Sequence, residues 1–180
     1  MKNSFFKARV LTVELTSLCN LRCTYCSVSH PDYRGQTSTL RESDIVNLAQ
    51  QLDCKKIQLH LHGESTVRKG WAELCQSLTS QGFELSLLSN LSQNFNQFEI
   101  EVLSQLDLWV SIDTIDNELF KKMRRGSELG EVLRNLLRIN AYRRKKGISH
   151  RYKWNSVLEE QSIILFQRAI LYSQTQELLE

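Results

Sequence analysis

Glu14-Leu15-Thr16-Ser17-Leu18-Cys19-Asn20-Leu21-Arg22-Cys23-Thr24-Tyr25-Cys26 holds three of the chain's five cysteines within eight consecutive residues, at C-x-x-x-C-x-x-C spacing. Thiolates are soft ligands that suit zinc and iron–sulfur clusters, and three on one short loop can converge on a single centre without help from distant segments. In a four-iron cluster, three cysteines leave one iron without a protein ligand. That position is open to a small molecule with its own nitrogen and oxygen donors. Two other readings compete. Cys19, Cys23, Cys26 and His30 would make a Cys₃His zinc set, although structural zinc loops usually pair two separated C-x-x-C knuckles and the sequence has no second one. Three unliganded core cysteines would need a core-facing pattern, which Asn20, Arg22 and Thr24 do not provide. The spacing favours a cluster.

Outward from the loop, Val10 to Leu15 is mostly apolar and β-branched and reads as a strand delivering the cysteines at its C-terminal end. Pro31, Asp32 and Gly35 mark a loop up to Thr39. Ile45, Leu48, Ala49 and Leu52 recur at helical spacing behind a cap at Thr39 or Ser43. Lys56 to His62 alternates Ile57, Leu59 and Leu61 against Gln58, His60 and His62, a second strand. Trp71, Leu74, Cys75 and Leu78 stripe a helix closed by Gly82. Phe83 to Leu88 is a third strand, followed by a helix with Phe98, Val102 and Leu103. Leu108 to Ile112 is a fourth strand. A short helix over 117–123 precedes a longer one striped by Leu129, Val132, Leu133, Leu136, Leu137 and Asn140. Its outer face is basic, with Arg134, Arg138 and Arg143 to Lys146, and Gly147 ends it. Tyr152 to Leu158 is a fifth strand, and 161–179 a last helix. Strand then helix, five times over, predicts an α/β fold with a parallel sheet and ligands at the carboxyl ends of the strands.

At 180 residues the chain fits one domain with a real core, and its net charge of +3 does not by itself indicate nucleic acid. The odd cysteine count argues against a disulfide framework and for a reducing compartment, with Cys54 and Cys75 placed for packing. No apolar run suits a signal peptide or a membrane span, so the expected location is cytoplasmic.

The cysteine spacing, the aromatic Tyr25 directly before the last cysteine and the strand before the loop resemble the signature of the radical S-adenosylmethionine (SAM) enzymes. In that family the open iron of a [4Fe–4S] cluster binds the amino and carboxylate groups of SAM. His62-Gly63-Glu64-Ser65 resembles the family's G-G-E-P motif at Gly63 and Glu64, which meet the SAM amino group; His62 and Ser65 replace the first glycine and the proline. Ser89-Asn90 resembles the T-N-G position near SAM. Ser111-Ile112-Asp113 resembles an S-x-D whose side chains reach the ribose hydroxyls, for which a carboxylate is a good acceptor. Arg124-Arg125-Gly126 resembles a segment whose arginine forks onto the SAM carboxylate. Asn155 falls where relatives place ribose or adenine contacts.

The resemblance implies a partial (β/α) barrel with parallel strands and five of the usual six strand–helix units. It runs over 10–158 of a single core-like domain, 1–180, with no C-terminal auxiliary-cluster domain. It implies that Cys19, Cys23 and Cys26 hold the cluster, which cleaves SAM reductively to a 5′-deoxyadenosyl radical that abstracts hydrogen from a substrate. That substrate is a peptide or a small cofactor precursor, and the reductant a protein such as flavodoxin or ferredoxin. An open barrel edge favours a dimer or a partner chain. The competing functions are a non-catalytic zinc- or cluster-binding module and a truncated or degenerate relative that has lost turnover.

Overall fold

Alternation along three consecutive strands puts Ile57 and Leu59, Leu85 and Leu87, and Leu108, Val110 and Ile112 on one face, where all are buried. In the computed structural model, which describes residues 7–149 and 153–155, that face belongs to a five-stranded parallel sheet. Its strands are β1 (Leu11–Thr12), β2 (Lys56–Gln58), β3 (Glu84–Ser89), β4 (Asp107–Ser111) and β5 (Lys153–Asn155). They pair in chain order. The connections carry helices α1 (Glu42–Gln51), α2 (Trp71–Ser80), α3 (Gln97–Gln105), α4 (Asn117–Met123) and α5 (Leu129–Lys146). Trp71, Leu74, Cys75 and Leu78 of α2 and Ile100 and Leu103 of α3 close the core on the helical side, where Trp71 meets Phe95 edge to face.

Purely parallel sheets are usually apolar on both faces because helices cover both. Here the second face is polar. Thr12 donates to Gln58 Oε1 at 3.3 Å, Lys56 pairs with Glu84 at 3.6 Å, and Lys153 pairs with Asp107 at 2.7 Å. The Lys153 ammonium also lies 4.8 Å from the centre of the Trp109 ring. One greasy and one polar face, with strands in sequential order, is the α/β parallel sheet that the periodicity predicted, arranged as the partial barrel that the family resemblance implied.

Several boundaries differ from the periodicity, each for a local reason. β2 stops at Gln58 rather than running to His62, because the Leu59 carbonyl accepts from the Ser65 hydroxyl at 2.6 Å and the His62 N–H donates to Glu14 at 3.1 Å. Leu61 is consequently exposed. Helix α1 is capped by neither Thr39 nor Ser43. Its N-cap is Arg41, whose N–H is taken by the Asp44 carboxylate at 2.9 Å. On α5 the inward stripe is Val132, Asn135, Leu136, Ile139 and Arg143, while Leu133 and Leu137 face out. Arg143 therefore does not belong to a basic outer face. It is buried, and its guanidinium donates to Ser104 O at 2.9 Å and Leu106 O at 3.0 Å, closing the carbonyl end of α3. Gly82 and Gly147 follow α2 and α5 with positive φ, as the helix ends require. Cys54 and Cys75 are buried, as packing residues should be. The expected helix over 161–179 lies outside the described residues.

Candidate functional site

The cysteine loop leaves β1 at its C-terminal end and is clamped by the segments beyond the next three strands. After β2, Glu64 N–H donates to Leu18 O at 2.8 Å. After β3, Asn90 Nδ2 donates to Asn20 Oδ1 at 2.9 Å, and Asn20 Nδ2 in turn to Ser92 O at 2.8 Å. Beyond β4, at the end of α4, the carbonyls of Arg125 and Met123 accept from Arg22 N–H and Thr24 N–H, each at 2.9 Å. Gly63 sits tightly against this loop. A Cβ there would lie 2.3 Å from Thr16 O and 2.5 Å from Leu18 O, so only glycine lets the two backbones meet.

Cys23 is buried, and Cys19 and Cys26 are half-buried. Cys23 and Cys26 lie close enough to Cys19 to raise its proton affinity, and Cys26 does the same to Cys23. Cys19 Sγ accepts from Leu21 N–H at 3.4 Å and from Asn90 Nδ2 at 3.8 Å, the N–H···S contacts that tune cluster thiolates. Among the described residues no three His, Cys, Asp or Glu side chains converge to hold a single metal ion. His30 is turned to the surface, its Nδ1 accepting from Asp32 N–H at 3.2 Å. The zinc set Cys19, Cys23, Cys26 and His30 is therefore not assembled. Three thiols on one loop are the donor set that a cluster takes, in which each cysteine holds a different iron.

Burial pushes the Cys19 thiol up to about 11, and burial raises that of Cys23 while the Arg124 guanidinium opposes it. A cysteine takes iron only as a thiolate, so iron arriving at these two sulfurs would have to displace their protons. A cluster assembly limited by one such thiolate is accordingly expected to speed up by about a hundredfold between about pH 7 and pH 9, since each unit multiplies a scarce thiolate roughly tenfold. Absorbance growth during anaerobic reconstitution across that range checks this, and a flat profile counts against it.

Glu64 is fully enclosed rather than a solvated loop carboxylate. One oxygen accepts from Asn90 N–H at 2.7 Å, the other from Thr66 Oγ1 at 2.7 Å and Thr66 N–H at 3.3 Å. Burial raises its proton affinity and those donors pull it back. Ser65, at the proline position of the motif, ties off β2. Ser89 is buried, its hydroxyl accepting from Leu91 N–H at 3.0 Å. Leu91 stands where a T-N-G motif has its glycine and takes a left-handed φ of 50° while fully buried. That costs on the order of 1 kcal/mol for a residue with a Cβ.

Asp113 and Arg124 meet each other. Arg124 forks onto the carboxylate at 2.7 Å (Nε to Oδ2) and 3.1 Å (Nη2 to Oδ1), with both side chains buried. The Tyr25 hydroxyl also donates to Asp113, and the guanidinium lies 5.9 Å from the Tyr25 ring centre. Burial raises the Tyr25 hydroxyl's pKa, so it stays a donor. Arg125 is exposed, its Nε donating to Arg22 O at 3.1 Å. Ser111 and Asn155 face each other across β4 and β5. The sequence-predicted set thus collects around the cysteine loop and the C-terminal ends of the strands. Asn20 and Asn135 were missed. Asn135 donates to Leu91 O at 2.9 Å and Gln93 O at 2.8 Å, fixing the loop after β3. Its signal was a polar residue one position before Leu136 on an apolar stripe.

The family model described as the Radical SAM superfamily matches residues 13–152. The chain is 31% identical over 133 residues to a GTP 3′,8-cyclase of Caulobacter vibrioides, a match covering 68% of this chain and 38% of that protein. It is 33% identical over 132 residues to a GTP 3′,8-cyclase of Pseudomonas fluorescens, covering 68% and 39%. Each match spans well under half of the relative's length. Among solved structures, Streptococcus suis SuiB bound to S-adenosylmethionine superposes with a TM-score of 0.71 at 16% identity, over 92% of this chain and 37% of that one. Native anSMEcpe with bound AdoMet gives 0.63 at 18%, over 83% and 43%. At such identities these two likenesses speak for the fold alone. No helix among the described residues is long and apolar enough to cross a membrane.

Proposed function

The chain belongs to the radical SAM superfamily, and from that premise we propose that it is the core of an enzyme that binds a [4Fe–4S] cluster and SAM and opens a substrate C–H bond. When bound, the reduced cluster supplies one electron to the SAM sulfonium, yielding methionine and the 5′-deoxyadenosyl radical that takes the hydrogen. The observation that carries this reading is the three-cysteine loop held by Glu64, Asn90, Arg125 and Met123 at the carboxyl ends of a parallel sheet.

Cys19, Cys23 and Cys26 hold three irons in this proposal. Gly63 and Glu64 set the backbone that meets the SAM amino group, with Ser89 and Asn90 beside it. Ser111 and Asn155 serve the ribose side, and Asp113, whose carboxylate holds Arg124 and Tyr25, supports that side from behind. Arg125 is the better partner for the SAM carboxylate, because Arg124 is already forked onto Asp113. The polar face of the sheet orients the substrate and shields it from water. For substrate, likeness to GTP 3′,8-cyclases favours a nucleotide-like cofactor precursor over a peptide, for which the support is fold likeness alone. The setting is a cytoplasmic single domain supplied with electrons by a flavodoxin or ferredoxin, with a partner chain or second copy at the barrel's open edge.

The test is anaerobic reconstitution with iron and sulfide, dithionite reduction, and assay of 5′-deoxyadenosine from SAM, with Cys23→Ala alongside. Wild type is expected to make 5′-deoxyadenosine and the variant none above background. A colourless, zinc-loaded protein would sink the proposal.

A further inference from the structure

A cavity of about 400 Å³ opens beside the cysteine loop, its wall including Leu18, Cys19, Arg22, His30, Tyr33 and Arg34. Leu18 is 44% exposed, although it precedes the first cysteine directly. Both arginines are exposed and tethered through one guanidinium nitrogen. Arg22 Nη1 donates to Cys19 O at 3.0 Å and Leu21 O at 2.8 Å; Arg34 Nη1 donates to Pro31 O at 2.8 Å and Tyr33 O at 3.2 Å. Neither arginine has a carboxylate within ion-pair distance among the described residues, and the nearby Asp32 is turned to His30 at 3.7 Å. The result is a wall that combines an exposed leucine with two guanidinium groups, neither of them paired to a carboxylate among the described residues. That is the anatomy of a recognition surface for an anionic partner.

We propose that an acidic one-electron carrier protein docks on this surface and delivers its electron to the cluster past Cys19. The proposal rests on the cluster reading above. Cys19 belongs both to the cavity wall and to the iron-ligand set, so a carrier seated on Leu18 stands one side chain from the acceptor. Cys23, by contrast, is buried. One electron leaves the reduced carrier and enters the cluster, with no bond made or broken and no proton moved. Such encounters are small and brief, and depend on charge to be fast. A protein-sized partner is favoured over a small anion because the same wall carries an exposed leucine, which needs apolar cover.

The experiment uses the full chain, reconstituted anaerobically, with a reduced flavodoxin as probe. Flavodoxin affinity is read by calorimetry and cluster bleaching by stopped-flow absorbance, in wild type and Arg34→Glu. Among the described residues Arg34 hydrogen-bonds to carbonyls of its own loop, so iron content and bleaching by dithionite should not change. Flavodoxin binding and flavodoxin-driven bleaching should each fall about tenfold in the variant. In wild type both should weaken as salt rises to about 0.2 M, where the screening length drops below ~10 Å. Unchanged flavodoxin affinity and bleaching in Arg34→Glu would overturn the proposal. So would inorganic phosphate that binds wild type but not the variant while leaving flavodoxin-driven bleaching intact, since the cavity would then serve a small anion. A wild type that takes up no iron defeats the cluster reading itself, and this proposal with it; iron analysis separates that failure from the others.

Discussion

Gly63→Ala is expected to cost about 3 kcal/mol, the upper part of the usual range for overpacking, and to leave less than a tenth of the wild-type iron after reconstitution. The added methyl carbon would stand 2.3 Å from Thr16 O, 2.5 Å from Leu18 O and 2.7 Å from Ser17 C. All three are backbone atoms, and no side-chain rotation relieves them. Either the turn after β2 or the start of the cysteine loop must move, and the 2.8 Å bond from Glu64 N–H to Leu18 O lies across that gap. Because Leu18 adjoins Cys19, the displacement passes straight to the first thiol. Gly130→Ala is the matched control. It adds the same methyl group in the first turn of α5, where the nearest atom is the tip of Arg134 at 3.6 Å. There the change should stabilise by up to about 1 kcal/mol, since alanine is the better helix former. Urea midpoints and iron analysis on the two variants decide the matter. A Gly63→Ala protein with wild-type midpoint and full iron would show that the loop yields freely.

The fold was legible because its signals are local. Period-two alternation marked Ile57 and Leu59 as a buried face, which Leu87, Leu108 and Val110 of the next two strands extend, and helical stripes such as Trp71, Leu74, Cys75 and Leu78 marked the layer over it. The cysteine spacing was legible for the same reason, because loop length alone brings the three sulfurs together. What periodicity could not supply was the direction of polar side chains that bond across the fold. Arg143 looked like one more cation in a basic run, yet it reaches the carbonyls of Ser104 and Leu106 from 39 and 37 positions away. Leu133 and Leu137 looked apolar and therefore inward, but a stripe centred on Val132, Asn135, Leu136 and Ile139 turns them out. Strand length misled too, since Ser65 and Glu14 end the pairing of β2 with groups the alternation does not register.

The site shows the same limit at closer range. Asp113 and Arg124 were each read as facing a ligand, because a carboxylate suits ribose hydroxyls and a guanidinium suits a carboxylate. Eleven residues separate them, and only the turn through α4 reveals that they satisfy each other. That pairing is compatible with a supporting role. It fixes Tyr25, next to Cys26, through the hydroxyl that donates to Asp113, and so ties the end of β4 to the cysteine loop.

Asp113→Asn is accordingly expected to destabilise the iron-free protein by about 3–5 kcal/mol, the cost of leaving a buried charge without its counterpart. With 6% exposure, Arg124 has little access to water as a substitute partner, and the loss is a large share of the roughly 5–15 kcal/mol that holds a domain together. Replacing both partners by apolar residues of similar size, Asp113→Leu with Arg124→Met, should recover most of it, because the desolvation of two charges disappears along with their attraction. Tyr25→Phe removes a single hydroxyl donor and should cost nearer ~1–2 kcal/mol. Urea unfolding of the iron-free chains tests all three without contributions from cluster or SAM. An Asp113→Asn midpoint within about 0.5 kcal/mol of wild type would mean that the pair contributes little. The double variant then separates scaffold from ligand contact. If its stability returns and the reconstituted protein binds SAM as wild type does, Asp113 acts only by holding Arg124 and Tyr25. If stability returns while SAM affinity falls tenfold or more, the carboxylate also reaches the ligand, and its bond to Arg124 is what aims it there.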